Sequence, residues 1–128
     1  MSSKIKYRPL TDKIIKAFYN VYNELGYGFL ESVYEKSLLI SLRDFGLKAI
    51  SQQPINVFYK DNNVGDFIAD IIVEDKVILE LKAVEHILRI HEAQIINYLK
   101  ATKIEIGLLL NFGTKPEFKR YVYSNSNK

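Results

Sequence analysis

The sequence contains no cysteine, which excludes a disulfide framework and any thiolate zinc site. That absence is compatible with a reducing compartment without establishing one. Nor is there an uncharged apolar run near the roughly 18 residues that a membrane-spanning helix needs, and the opening MSSKIKYRPL lacks the apolar centre of a secretory signal. The expectation is a soluble, cytoplasmic protein. No internal repeat, low-complexity block or linker is visible, and no block of like charge. The net charge of +3 comes from basic residues spread along the chain, which permits contact with a polyanion but does not require it. What is present is 128 residues, 48% of them hydrophobic, enough for one domain that buries about two thirds of its unfolded surface. We place that domain at residues 10–123, with flexible tails at 1–9 and 124–128.

Hydrophobic periodicity gives the order of elements. Thr11 reads as an N-cap, followed by Ile14, Phe18, Val21/Tyr22 and Leu25 at helical spacing, with Gly26 as the stop. Leu30, Val33, Tyr34, Leu38, Leu42 and Phe45 give a second helix ended by Gly46. From Lys48 to Lys60, Ile55, Val57 and Tyr59 alternate with their neighbours as in a strand, and Asp61-Asn62-Asn63 reads as the next turn. Two apolar runs, Phe67–Val73 and Val77–Leu81, flank Glu74-Asp75-Lys76, the pattern of a tight hairpin between buried strands. A third helix carries Ile87, His91, Gln94/Ile95, Tyr98 and Thr102 on one side. Ile104–Phe112 is a strand covered on both faces, and Phe118–Tyr123 a last alternating segment. The unit is α/β: two helices, three strands, a helix, and one or two strands.

Asp70, Glu80 and Lys82 interrupt the two central runs. Side chains alternate faces at about 3.3 Å per residue, so Glu80 and Lys82 share a face, and Asp70 can meet them across the hairpin. Charges rarely occupy apolar strands unless paired or holding a metal, because an unpaired buried charge costs several kcal/mol. Glu-x-Lys by itself decides little, since Glu74/Lys76 and Glu117/Lys119 repeat the spacing. A partly buried ion pair between an acid and Lys82 is the simpler account of the triplet alone. Glu31 falls within the apolar arc of the second helix, where it either faces the core or reaches solvent as a first-turn glutamate favoured by the helix dipole. Gln94 and Tyr98, one turn apart, project together. The convergence of Asp70, Glu80, Glu31, Lys82, Gln94 and Tyr98 on otherwise apolar stripes favours a site over isolated structural pairs. His91 shares the helix face, and a hydrogen-bonded structural role suits it best.

Gly28-Phe29-Leu30-Glu31-Ser32-Val33-Tyr34 resembles the signature of the GxxExxY proteins. Asp70, Glu80-Leu81-Lys82 and Gln94…Tyr98 resemble the motifs of the PD-(D/E)XK nuclease superfamily, including the QxxxY box of its recombination-nuclease branch. The resemblance runs from about Leu10 to Val122, with Ala69 in place of the motif's proline. It implies a restriction-endonuclease-like core: a mixed central sheet of four to five strands flanked by helices, in the order helix-helix-strand-strand-strand-helix-strand. It also implies an Mg²⁺-dependent (or Mn²⁺-dependent) phosphodiesterase acting on nucleic acid, with DNA favoured over RNA. Asp70 and Glu80 would ligate the metal with the Leu81 carbonyl, and Glu31 would do so directly or through water. Lys82 would orient or activate the attacking water, and Gln94 and Tyr98 would position substrate. The alternative is a nuclease-like nucleic-acid-binding or regulatory module without turnover.

Overall fold

A computed structural model describes residues 6–128. Helix α1 (Arg8–Leu25) and helix α2 (Glu31–Asp44) precede strands β1 (Ala49–Tyr59), β2 (Asn62–Val73) and β3 (Val77–Lys82). Helix α3 (Arg89–Ala101), β4 (Ile106–Phe112) and β5 (Pro116–Val122) follow. The strands form one five-stranded sheet in the order β1-β2-β3-β4-β5. β3 and β4 run parallel and all other neighbours antiparallel. A parallel pair cannot be joined by a tight turn, and α3 is the crossover between its two strands. This mixed, open α/β sheet with its helices in the expected order matches a restriction-endonuclease-like core.

The hairpin turns follow from backbone chemistry. Glu74 and Asp75 both adopt positive φ (53° and 55°), as do Lys60 and Asp61 (49° and 65°), the left-handed pair that a two-residue hairpin requires. The β1–β2 turn is therefore Lys60-Asp61, one residue earlier than the sequence suggested. One further expectation is corrected. Thr11 is not an N-cap: α1 starts at Arg8 behind a left-handed Tyr7, and Thr11 is buried inside the helix with its hydroxyl donating to the Arg8 carbonyl. Pro9 near the helix start needs no amide partner there, which lets the helix begin earlier than the apolar pattern shows. At the other end, Asn125–Asn127 form a 3₁₀ turn, and the Lys128 ammonium donates to the carbonyls of Thr102 and Ile104. Of the expected N-terminal tail, residues 1–5 lie outside the described residues.

The core lies mainly on one face of the sheet. There α1 and α2 cover Ile71, Val73, Val77, Leu79, Leu81, Leu108 and Leu110. Tyr34 stacks on Phe112 at 4.3 Å and 14°, and Phe18 meets the same ring edge-on at 4.8 Å. The Tyr34 hydroxyl donates to the Gly26 carbonyl and accepts from the Phe29 amide. The final residue of the GxxExxY motif thus fixes both α2 and the loop before it. On the opposite face α3 packs through Ile95, Tyr98 and Leu99. Gly107 admits it, since a Cβ there would stand 2.8 Å from the Ile95 side chain.

Candidate active site

The site is built where β2 and β3 part. Their ladder pairs Val73↔Val77, Ile72↔Ile78 and Ile71↔Leu79 and goes no further. At the next step, side chains replace backbone partners. The Asp70 amide donates to Glu80 Oε2 at 3.0 Å, and the Leu81 amide donates to Asp70 Oδ2 at 2.8 Å. Beyond the fork β2 continues with β1, whereas β3 continues with β4 as far as Lys82↔Asn111. Two partly buried amides that have no strand partner across the fork are satisfied by the two carboxylates, which fixes both acids without any lysine.

Glu80 is 3% exposed. Burial, and then the neighbouring Asp70 charge, push its pKa up to about 9, with a hydrogen bond to the Asp70 side chain acting in the same direction and Lys82 opposing weakly. Two carboxyl groups in one low-dielectric pocket cannot both ionise without large cost. The sign of the linked stability follows. The folded state holds a proton that the unfolded chain releases above 4.5, so the favourable term is complete below that pH and is lost as pH rises to about 9. Metal-free protein is expected to lose on the order of 1 kcal/mol per pH unit within this window, relative to Glu80→Gln, which should flatten the dependence. Urea melts in EDTA at several pH values measure it, and parallel curves for the two proteins would refute it.

Lys82 makes no salt bridge within 4.0 Å among the described residues. Its ammonium donates instead to Gln94 Oε1 at 3.3 Å, and Gln94 Nε2 donates to the Tyr98 hydroxyl at 3.0 Å. The relay runs from β3 to one face of α3, where the spacing of four residues places Gln94 and Tyr98 together. Burial raises the Tyr98 pKa, and the charges of Glu80 and Asp70 add to it. The structural ion pair is thus not what Lys82 forms. His91 accepts the Leu88 amide at Nδ1, 3.0 Å away, closing the start of α3 in the structural role expected of it.

Asp70, Glu80, Leu81, Lys82, Gln94 and Tyr98 are therefore gathered at the fork. Glu31 is not. It is exposed at the first position of α2, and the buried stripe of that helix starts only at Tyr34, continuing through Leu38 and Leu42. Of the two alternatives for Glu31, the exposed side chain is the solvent-reaching one. The α2 acid that senses the site is Glu35, one turn later, which sequence reasoning missed. Glu35 is half-buried and accepts from Gln52 Nε2 at 2.8 Å. Burial raises its pKa, and the negative charges of Asp70 and Glu31 add to the shift. Its position on the flank of the Tyr34–Leu38–Leu42 stripe was the available signal. Asn111, fully buried, was also missed: its amide donates to the Val84 carbonyl and accepts the Val84 amide, which ties down the chain leaving Lys82.

No three His, Asp or Glu side chains among the described residues are clustered as a ready metal cage. The donors at the fork nevertheless suit a hard divalent cation. They are two carboxylates in one partly buried pocket, where burial and then the Asp70 charge raise the pKa of Glu80, and a cation would offset both.

The chain belongs to the PD-(D/E)XK nuclease superfamily, whose family model matches residues 8–121. No curated protein matches it at a significant level. The solved crystal structure of SSO0001 is similar in fold, with a TM-score of 0.59 and 16% identity, covering 73% of this chain and 50% of that one. The present chain thus spans half the length of that relative, and at this identity the likeness concerns the fold alone.

Proposed function

We propose that this protein is a nuclease that hydrolyses phosphodiester bonds with Mg²⁺ or Mn²⁺, and that it belongs to the GxxExxY branch of its superfamily. The observation that carries the reading is the Asp70–Glu80 pair at the strand fork, with an ammonium beside it that is not spent on neutralising either acid. Asp70 and Glu80 would hold the cation, with the Leu81 carbonyl. Glu35 and the outlying Glu31 would act through water. When bound, the cation would polarise a phosphoryl oxygen and lower the pKa of a bound water. Lys82 sets a positive charge next to the attacking water and the phosphate, where charge develops in the transition state. Gln94 holds the lysine head in place, and Tyr98 holds Gln94. Nucleic acid, with DNA favoured, is the partner that this chemistry addresses. Among the described residues no helix is long and apolar enough to cross a membrane.

Incubation with end-labelled single- and double-stranded DNA and RNA tests the reading. Cleavage in Mg²⁺ or Mn²⁺, abolished by EDTA, supports it. Binding without cleavage of any of the four would instead support a module that keeps the fold and turns nothing over.

A further inference from the structure

An open groove of about 880 Å³ lies between α3 and the arm formed by β1 and β2, and the hydrolytic chemistry above uses only its Gln94–Tyr98 edge. Beyond the fork the arm stays paired from Ile55↔Phe67 to Tyr59↔Asn62 with β3 no longer alongside, so one wall of the groove is a projecting ribbon. That wall carries aromatic surface. Phe58 is 61% and Phe67 47% exposed, and the Phe67 ring lies 5.9 Å from that of Tyr98 at 45°. Gln94 and Tyr98 line the groove and also position Lys82, which makes groove and site continuous. No carboxylate lines it, whereas Lys100 does. The fitting occupant has flat apolar faces, an anionic backbone and a phosphodiester that reaches Lys82. A duplex offers phosphates outward and hides its base faces, so aromatic walls gain nothing from it, whereas unpaired bases stack on such walls.

We infer that this groove seats the unpaired bases flanking the scissile bond, so that single-stranded nucleic acid is the form this protein takes as substrate. The inference rests on the nuclease reading for the position of the bond, but its test does not. Labelled oligothymidylate and oligouridylate of about 12 nucleotides, and a duplex of equal length, are titrated by fluorescence anisotropy against the full chain in EDTA, where nothing is cut. Single strands are expected to bind about tenfold tighter than the duplex or better, and Phe58→Ala to weaken single-strand binding about tenfold while leaving duplex binding unchanged. Phe67→Leu keeps apolar volume against Tyr98 but removes the flat ring face, and should give a similar loss with the melting temperature preserved. Equal affinity for duplex and single strand, or wild-type single-strand affinity in both variants, would overturn the inference. A protein that binds single strands through Phe58 yet cuts nothing in Mg²⁺ or Mn²⁺ would uphold the groove and sink the nuclease reading. One that cuts duplex and single strands equally well, with Phe58→Ala unimpaired, would do the opposite.

Discussion

Replacement of Lys82 by alanine is expected to reduce nucleic-acid cleavage about 100-fold or more while folding and cation affinity stay near wild type. The separation of effects follows from the hydrogen bonds. The two carboxylates are fixed by the amides of Asp70 and Leu81, so removing the ammonium leaves the metal-holding pair where it is. Lys82 is also a weak contributor to the titration of Glu80. What is lost is a positive charge at the phosphate, held ready by Gln94 and Tyr98. Lys76 is the control, since it follows Glu74 at the same spacing but lies in the β2–β3 turn, exposed. Equal loss in Lys76→Ala would refute the assignment of Lys82.

Asp70→Asn is expected to melt at or above the wild-type temperature in EDTA and to lose the stabilisation that Mg²⁺ gives the wild type. In the metal-free protein burial, and after it the Asp70 charge, make Glu80 resist ionisation; the substitution removes the second of these, and the asparagine carbonyl can still accept the Leu81 amide. One source of repulsion is thus removed at little cost in hydrogen bonding. With a cation at a hundredfold excess over its dissociation constant, the wild type should gain about 2.7 kcal/mol, or roughly 10 °C for a chain of this size. If Asp70 served instead to neutralise Lys82, the substitution would strand a charge and destabilise by roughly 3–5 kcal/mol for a fully buried pair, with or without metal. Thermal melts of both proteins in EDTA and in millimolar Mg²⁺ separate the two cases.

Element order was legible in the sequence because the buried positions follow helical spacing in α1 and α2 and run unbroken through most of β3 and all of β4. β3 and β4 read as continuous apolar runs since each is covered on both faces, and the breaks at Gly26, Gly46 and Glu74–Lys76 are set by local backbone chemistry. The pairing of Gln94 with Tyr98 was legible for the same reason, since helical spacing fixes it. Three features were not. Glu31 falls on the apolar arc by periodicity, but periodicity does not say which turns of a helix are covered, and here the first turn is exposed at Glu31 and Ser32. The fork between β2 and β3 depends on side chains capturing strand amides, a long-range event that leaves no local mark. β1 contains a residue at positive φ, Gln52, and a register shift at Val57/Phe58. Such irregularities bend a strand without altering its alternation enough to be seen. They also give the projecting arm its course, which is why the aromatic groove could not be read in advance.

The central claim is that Asp70 and Glu80 form a cation site, and isothermal titration of Mg²⁺ or Mn²⁺ into metal-free protein tests it most directly. The wild type should show saturable binding accompanied by proton release, seen as a dependence of the heat on buffer ionisation enthalpy, because the cation displaces the proton that Glu80 holds at neutral pH. Glu80→Gln should lose both the binding and the released proton. Absence of binding in the wild type, or unchanged binding in Glu80→Gln, would contradict the account.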